Sequence, residues 1–448
     1  MPMRWPELLN NTRLGAEHQP KAHDRRGYER DYDRVLFSLP FRRLLDKTQV
    51  FPMPANDHIH NRLIHSVEVA SVGRTLGTWA GEKLIEQGVD LGGVAASALG
   101  DIVASACLMH DIGNPPFGHA GEDAIASWFR GAGSVHLAEL NDAQRMDLQQ
   151  FEGNAQSFRV VTRLEMYGEH RGGMQLTLAT LGAVAKYPQA SVHRKKGHAG
   201  HQKHVARKKF SYFQADHAAF AHVAKGLGLT TVEDQAWSRH PLTYLVEAAD
   251  DICYSILDLE DGYTLGFVAA DQLSALLIKA HGRQPQMSLS DPRERIAYLR
   301  ARAINKLVEQ LVTAFIDHHD ALLDGTLGEP LAGLIPARAT LDEISEVSRR
   351  LCYEAPEVLR VELAGYEVLG GLLEVFAPAA LAPSPDGRQR RALKLMRLQP
   401  RAAEESAYSR LLRVTDYLSG MTDGYALRLY KELRGIELPG VQGRAPAG

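Results

Sequence analysis

The sequence contains little cysteine. Three residues of this type, Cys107, Cys253 and Cys352, stand far apart and form no C-x-x-C pair. An odd number of isolated thiols argues against a disulfide framework and against a thiolate zinc site. We therefore expect a protein of a reducing compartment, with a cytoplasmic location.

Several other signals are missing as well. No G-x-x-x-x-G-K-[ST] phosphate loop, G-x-S-x-G elbow or H-E-x-x-H zinc helix occurs. The most apolar stretches, 89–109 and 363–381, each carry two carboxylates, so we expect no membrane span. The 51 basic and 54 acidic residues leave a formal charge of −3. Any affinity for nucleic acid therefore has to come from a local patch.

Helical periodicity, by contrast, is abundant. Apolar residues recur every three or four positions around Val69–Leu76 and Leu99–Met109. The same spacing continues in 242–259, 296–316, 341–351, 361–375 and 407–433. Glycine and proline stand where helices should end, at 113–116, 187–188, 262, 292 and 382–385. Strand signals are nearly absent, and the pattern predicts an all-α protein.

We expect three parts along the chain. Residues 1–34 are polar and predict a partly ordered N-terminal arm, which is followed by a core over 35–275 and by a C-terminal helical region over 276–448 packed on that core. No acidic residue occurs from Arg171 to Ala215, and the sequence HRKKGHAGHQKHVARKK begins at His193. This predicts an exposed basic loop over 189–210. We expect one large globular unit.

The basic loop has three interpretations. It is a solvated surface loop, a site for an effector nucleotide between subunits, or a groove for single-stranded DNA that stacks on Phe210, Tyr212 and Phe213. The loop also carries four histidines, whose spacing defines no metal site: His193, His198, His201 and His204.

Two histidines and two acidic residues form the chemically informative set. His65 lies in NRLIHSVEV, His110 and Asp111 in CLMHDIGNPPFGH, and Asp250 in LVEAADDICYSILDLED. Imidazole nitrogens and carboxylate oxygens suit a divalent ion that keeps positions open for water and phosphate. The glycine and prolines after the His-Asp pair predict that its helix ends there, which lets both side chains reach one ion.

These segments resemble a known family. The order H…HD…D on helices is similar to the HD phosphohydrolase superfamily, and the surrounding sequence resembles its dNTP triphosphohydrolase, or dGTPase-like, family. The resemblance extends in order over RDYDRVLFSLPFRRLLDKTQVFP, HNRLIHSVEVASVGR, HDIGNPPFGHAGE, FEGNAQSFR and YLVEAADDICYSILDLED, covering much of 30–261. It implies an HD-domain fold with 35–275 as the catalytic core, a homo-oligomer, and cleavage of a dNTP to deoxynucleoside and inorganic triphosphate.

The resemblance assigns the metal ligands to His65, His110, Asp111 and Asp250. Asp251 is the rival for the fourth position. Asp250, Tyr254 and Asp258 recur every four residues and share one helix face, from which Asp251 points about 100° away. In the family this face binds first the metal and then the sugar, so Tyr254 and Asp258 are candidates for contacts with deoxyribose.

Two further residues resemble the acid/base group of the family. His119 and Glu122 stand three positions apart at the start of a predicted helix. The resemblance makes His119 the group that aids proton transfer, with Glu122 orienting or activating it. Such a carboxylate partner would raise the pKa of the imidazole.

Substrate contacts also follow from the resemblance. Arg62, one turn before His65, would touch the phosphates. Lys186 and Tyr187 resemble a pair near the phosphates and sugar, and Gln49 resembles the residue that reads the 3′-hydroxyl.

The resemblance implies a divalent cofactor and leaves rival activities open. Mn²⁺ and Mg²⁺ are the ions expected first, with Fe²⁺, Co²⁺ and Zn²⁺ as alternatives. The rivals are an HD phosphodiesterase or nucleotidase acting on other nucleotides, and a nucleotide-sensing or single-strand-binding regulator with vestigial activity.

Overall fold

The described part of the chain folds mainly into helices. The computed structural model describes residues 2–15, 27–51, 59–166, 172–193, 204–284, 286, 288–400, 402 and 404–438. Within these residues the α-helices are α1 Trp5–Leu8, α2 Gly27–Leu36, α3 Leu39–Arg43, α4 Arg62–Glu86, α5 Ala96–Met109, α6 Gly118–Arg130, α7 Asp142–Gln149, α8 Gly153–Arg159, α9 Leu178–Val184, α10 His217–Gly226, α11 Pro241–Thr264, α12 Ala270–His281, α13 Pro292–Asp317, α14 His319–Asp324, α15 Arg338–Ser348, α16 Pro356–Leu381, α17 Gly387–Leu395, α18 Ala407–Ser419 and α19 Asp423–Leu433. Two short strands, β1 Thr231–Glu233 and β2 Ala236–Trp237, pair antiparallel. The predicted all-α class is confirmed.

Two details of the predicted helices are wrong. The pattern over 407–433 is not one helix, because Gly420 ends α18 and the Thr422 side chain accepts a hydrogen bond from the Tyr425 N–H at the start of α19. Gly262 does not end a helix but lies within α11. A Cβ there would come within 2.6 Å of the Cys352 sulfur, so this glycine permits close packing instead.

Helices α4 and α5 form the centre of the core. Gly73, Gly77 and Gly81 repeat every four residues along α4 and face α5. A Cβ on Gly77 would stand 2.7 Å from the Leu99 carbonyl oxygen, and one on Gly81 would stand 2.9 Å from the Ala96 Cα. The two backbones therefore pack at a distance that only glycine permits. This close packing holds the start of α4 beside the end of α5.

A second apolar cluster joins the C-terminal helices to α6. It contains Phe129 of α6 together with Leu369, Phe376, Leu411 and Leu418 of α16 and α18. Packing of this kind buries the large apolar side chains that would otherwise face water. The C-terminal region thus shares a core with the helix that follows the His-Asp pair.

The described part of the N-terminal segment packs into the main core. Trp5 and Leu8 are buried there, and the Trp5 indole N–H lies 2.9 Å from His319 Nε2. The boundaries predicted at 34/35 and 275/276 lie within α2 and α12. The division into arm, core and C-terminal region stays a prediction. Residues 194–203 of the basic loop lie outside the described residues.

One described helix, α16, is long and apolar enough to cross a membrane. Of its most apolar window, 56% is buried inside the protein, as in the core helix of many soluble proteins. Length and composition alone are therefore weak evidence for a span.

We predict that Gly77→Ala destabilises the protein by about 1–3 kcal/mol, because the new methyl group meets the backbone of α5, which cannot move aside. Gly370→Ala is the matched control within a helix, since its Cβ would meet nothing closer than 3.9 Å. We expect this control to leave stability unchanged or to raise it by up to about 1 kcal/mol. Urea unfolding measures both variants, and equal stabilities would contradict the prediction.

Candidate metal centre and pocket

The start of α4 directs two predicted site residues inward. The Asn61 side chain accepts a hydrogen bond of 3.0 Å from the Ile64 N–H and so caps the helix. Arg62 and His65 lie on the buried side of the first turns, and His65 is 2% exposed. The cap therefore fixes the position from which both side chains enter the site.

The end of α5 presents the His-Asp pair. Helix α5 ends at Met109, and His110 and Asp111 follow in the turn before the two prolines. His110 Nδ1 lies 2.6 Å from the Cys107 carbonyl oxygen, so Nδ1 carries the proton and the lone pair of Nε2 faces the site. Asn114 donates a hydrogen bond of 2.7 Å to Asp111 Oδ1. These two contacts orient both side chains toward one point.

The four predicted ligands meet at this point. Ligand atoms of His65, His110 and Asp111 all lie within 4.8 Å of one another. Asp250 Oδ1 lies 3.2 Å from His65 Nε2 and 3.4 Å from His110 Nε2. Asp250 is in the middle of α11, so three separate parts of the chain converge here. Two imidazoles and two carboxylates form a donor set that fits a divalent cation.

The charges around the cluster keep its carboxylates ionised. Burial raises the pKa of Asp250, but Lys186 and His110 outweigh that effect and hold it well below its usual range. Lys186 Nζ donates a hydrogen bond of 2.6 Å to Asp250 Oδ2. The pKa of Asp111 is also lowered, since burial is outweighed by His110 and by the ion pair with Arg62. Charged carboxylates are what a metal site requires.

A pocket of about 530 Å³ opens above the cluster. Its size lies in the range of roughly 300–1,000 Å³ typical of small-molecule sites. Beyond the four ligands, the predicted residues in its wall are Gln49, Arg62, His119, Lys186, Tyr187 and Tyr254. The wall also contains Lys208 of the predicted basic loop, and residues that the sequence did not suggest, among them Tyr353 and Glu362. Glu122 and Asp258 are not in the wall.

His119 faces the pocket without Glu122 as its partner. Glu122 accepts a hydrogen bond of 2.7 Å from the Gly153 N–H and lies 3.6 Å from Lys209 Nζ. In the described part of the chain no hydrogen bond joins the two side chains. Solvent reaches His119 through the open pocket, but partial desolvation in the pocket wall, with Lys209 and Arg62 nearby, lowers its pKa to about 4. The expectation that a carboxylate partner raises this pKa is therefore wrong.

The predicted sugar-binding face of α11 is interrupted by a tyrosine. Tyr254 is 41% exposed and stacks on Tyr353, with ring centroids 5.5 Å apart. Asp258 is 1% exposed and accepts a hydrogen bond of 2.9 Å from the Tyr353 hydroxyl. Asp258 is consequently separated from the pocket by Tyr353. No motif distinguishes Tyr353 in the sequence, where it only precedes Pro356 at the start of α16.

An unusual turn places the start of α6 beside Arg62. Phe117 has φ 63° and ψ 17°, a left-handed conformation that costs a bulky residue about 1–2 kcal/mol. Gly118 follows with φ 57°, and a Cβ there would stand 2.6 Å from Arg62 Nη2. Glycine at 118 thus lets the guanidinium lie against the turn that precedes His119.

The described end of the basic loop reaches the pocket. Lys208 is in the pocket wall, and Lys209 Nζ lies 2.9 Å from Glu152 Oε1. Of the loop histidines, His193 lies 3.3 Å from a Glu233 oxygen and His204 accepts a hydrogen bond from the Ala206 N–H. The other two, His198 and His201, lie outside the described residues.

Comparison with known proteins agrees with this geometry. Residues 62–183 match the HD domain, and residues 335–432 match the phosphohydrolase-associated domain. A protein of Synechocystis named deoxyguanosinetriphosphate triphosphohydrolase-like protein is 42% identical, covering 97% of this chain and all of the relative. Proteins of that name from Pseudomonas aeruginosa and Listeria monocytogenes are 41% and 33% identical, over 98% and 97% of this chain and their own full lengths. The chain therefore belongs to the HD-domain family of deoxyguanosinetriphosphate triphosphohydrolase-like proteins.

The residues of the pocket are distributed over both matched regions of this dGTPase-like protein. The HD match contains His65, His110 and Asp111, whereas Asp250 lies beyond its end. The phosphohydrolase-associated match contains Tyr353 and Glu362 of the pocket wall. Neither region alone therefore contains the whole pocket.

We predict that Asp250→Asn lowers the affinity for Mn²⁺ by about 100-fold or more, because an amide in place of the carboxylate removes a negative charge shared by both imidazoles. Asp251→Asn is the matched control on the neighbouring residue, which makes no hydrogen bond to these histidines in the described chain. We expect it to retain metal. Isothermal titration with Mn²⁺ compares the two variants, and equal losses would contradict the assignment of Asp250.

Proposed function

We propose that this protein is a divalent-metal-dependent triphosphohydrolase that converts dGTP, or several dNTPs, to deoxynucleoside and inorganic triphosphate. The convergence of His65, His110, Asp111 and Asp250 at the base of a pocket carries the proposal. The names of its relatives support the choice of a deoxynucleoside triphosphate.

The metal ligands and two cations would handle the phosphates. A bound divalent ion, with Mn²⁺ or Mg²⁺ expected first, would neutralise phosphate charge and lower the pKa of an attacking water. At the base of the pocket Arg62 forms an ion pair with Asp111, and Lys186 forms one with Asp250. Both groups would lie beside a phosphate at the metal centre, where they stabilise charge that develops in the transition state.

His119 would carry the proton. Its lowered pKa keeps the imidazole neutral near pH 7, so Nδ1 or Nε2 accepts a proton from the water that attacks the α-phosphorus. The bond from the α-phosphorus to the 5′-oxygen would then break, and this oxygen would take up the proton that His119 accepted, from the imidazole or through solvent water, and leave as a hydroxyl. The water oxygen consequently ends in the triphosphate product. Glu122 would act through its bonds to Gly153 and Lys209 rather than on His119 directly.

Three residues would recognise the deoxyribose. Gln49 Oε1 is buried with no hydrogen-bond partner in the described chain, and it would accept a hydrogen bond from the 3′-hydroxyl. The stacked rings of Tyr254 and Tyr353 offer a flat surface for the sugar, and a deoxyribose packed against them would be favoured over ribose because the 2′-hydroxyl would clash with a ring. Tyr187 would contact the same substrate near Lys186, whereas Asp258 would act by holding Tyr353.

The remaining expectations extend this proposal. A homo-oligomer, a cytoplasmic location and an effector nucleotide or single-stranded DNA at the basic loop stay predictions. The position of Lys208 and Lys209 supports a link between this loop and the pocket.

We predict that the protein with Mn²⁺ converts a dNTP in ¹⁸O-labelled water to unlabelled deoxynucleoside and triphosphate containing one labelled oxygen. Anion-exchange separation and mass spectrometry of both products measure this result, and Asp250→Asn serves as the inactive control. Release of a monophosphate or of inorganic phosphate would instead support the phosphodiesterase or nucleotidase. Binding without turnover would support the regulator.

We predict that Tyr254→Ala increases the turnover of GTP relative to dGTP by about 10-fold, because the smaller side chain leaves space for a 2′-hydroxyl. Tyr254→Phe keeps the ring and should keep the discrimination. The ratio of kcat/KM for the two nucleotides measures the effect. If the alanine and phenylalanine variants discriminated equally well, Tyr254 would have no part in excluding ribose.

A further inference from the structure

A buried carboxylate from the C-terminal region connects two segments of the pocket wall. Asp423, the first residue of α19, is 3% exposed. Its Oδ1 accepts a hydrogen bond of 3.0 Å from the Phe117 N–H. Its Oδ2 accepts one of 2.9 Å from the Thr48 N–H and one of 2.5 Å from the Thr48 hydroxyl. One side chain thus bonds the residue before Gly118 and the residue before Gln49.

Lys47 reinforces the same junction. This buried lysine donates hydrogen bonds of 2.5 Å to the Asn114 carbonyl oxygen and 2.6 Å to the Ser419 carbonyl oxygen. Its own carbonyl oxygen accepts a hydrogen bond of 3.2 Å from the Arg62 N–H. The turn between α18 and α19 is therefore bonded to the chain on both sides of the pocket, close to Arg62 and to the loop after Asp111.

We propose that Asp423 is a positioning residue for the reaction at this site. It holds the left-handed turn at Phe117, and with it His119, in register with the segment that carries Gln49. Without this acceptor the Phe117 N–H and the Thr48 N–H would lose their buried partner, and the turn would relax from a conformation that bulky residues avoid. This inference rests on the proposed function, but the position of the turn is a physical property that can be measured separately.

The test compares Asp423→Asn with Asp147→Asn in the full-length, Mn²⁺-loaded protein. Asp147 is also buried, and it accepts hydrogen bonds from the Gln214 N–H and from the Ser191 and Tyr408 hydroxyls, none of which lies in the pocket wall. Both variants replace a carboxylate by an amide of the same shape. Any general loss of stability should therefore be similar, and thermal unfolding records it.

For Asp423→Asn we expect kcat for the preferred dNTP to fall by about 100-fold with a smaller change in KM and with Mn²⁺ affinity retained. Thr48→Val, which removes one of the three bonds, should lose less activity. The double variant should fall no further than Asp423→Asn, because both changes break the same contact. Asp147→Asn should keep kcat within about twofold of the parent.

Hydrogen exchange decides the inference independently of activity. The amide of asparagine keeps only one of the two acceptor oxygens that Phe117 and Thr48 share. The amide hydrogen of Thr48, or those of residues 117–121, should therefore exchange faster in Asp423→Asn and at the parental rate in Asp147→Asn. Unchanged exchange in Asp423→Asn, or equal loss of kcat in both aspartate variants, would overturn the positioning role. If the parent protein hydrolysed no dNTP, the proposed function would be contradicted. The exchange result would still show whether Asp423 fixes the position of the turn.

Discussion

The rest of the site depends on the interactions of the Asp250 carboxylate with its charged and polar neighbours. It lies between the imidazoles of His65 and His110 and the ammonium of Lys186. The Asp250 side chain is only 23% exposed, and a charge largely removed from water is costly unless it is paired, so these partners have to be held in place by the fold. They come from α4, the end of α5 and the chain after α9, and the close packing of α4 on α5 through glycine holds the two histidines near each other.

The C-terminal region completes the site rather than merely covering it. Tyr353 provides a ring for the pocket wall and bonds Asp258, and Asp423 bonds both Phe117 and Thr48. These contacts join the phosphohydrolase-associated region to residues on either side of the metal cluster. A single apolar cluster containing α6, α16 and α18 keeps this region in place. The pocket is therefore a property of the whole chain, whereas the cluster of His65, His110, Asp111 and Asp250 is built from the core helices.

The sequence predicts features that depend on nearby residues, and it fails for contacts between residues far apart in the chain. Periodicity places four residues with suitable ligand atoms in apolar helical segments, and the resemblance to the family assigns them to one metal site: His65, His110, Asp111 and Asp250. Tyr353 and Asp423 act through contacts over more than 90 residues of sequence, and a single tyrosine or aspartate carries no pattern that reports such a contact. Apolar periodicity continues across Gly420, so the sequence alone does not show the break between α18 and α19.

Asp258 shows the converse limit. It shares a helix face with Asp250 and Tyr254, so spacing alone extends the predicted binding surface to it. The surface ends earlier, because Tyr353 from another part of the chain occupies the space and bonds the carboxylate. Periodicity tells which residues of a helix point the same way, but packing by distant residues decides how much of that face a ligand can reach. Along α11 the pocket therefore ends at Tyr254 and Tyr353. The buried carboxylate of Asp258 accepts a hydrogen bond from Tyr353 and so fixes the ring that forms the edge of the pocket.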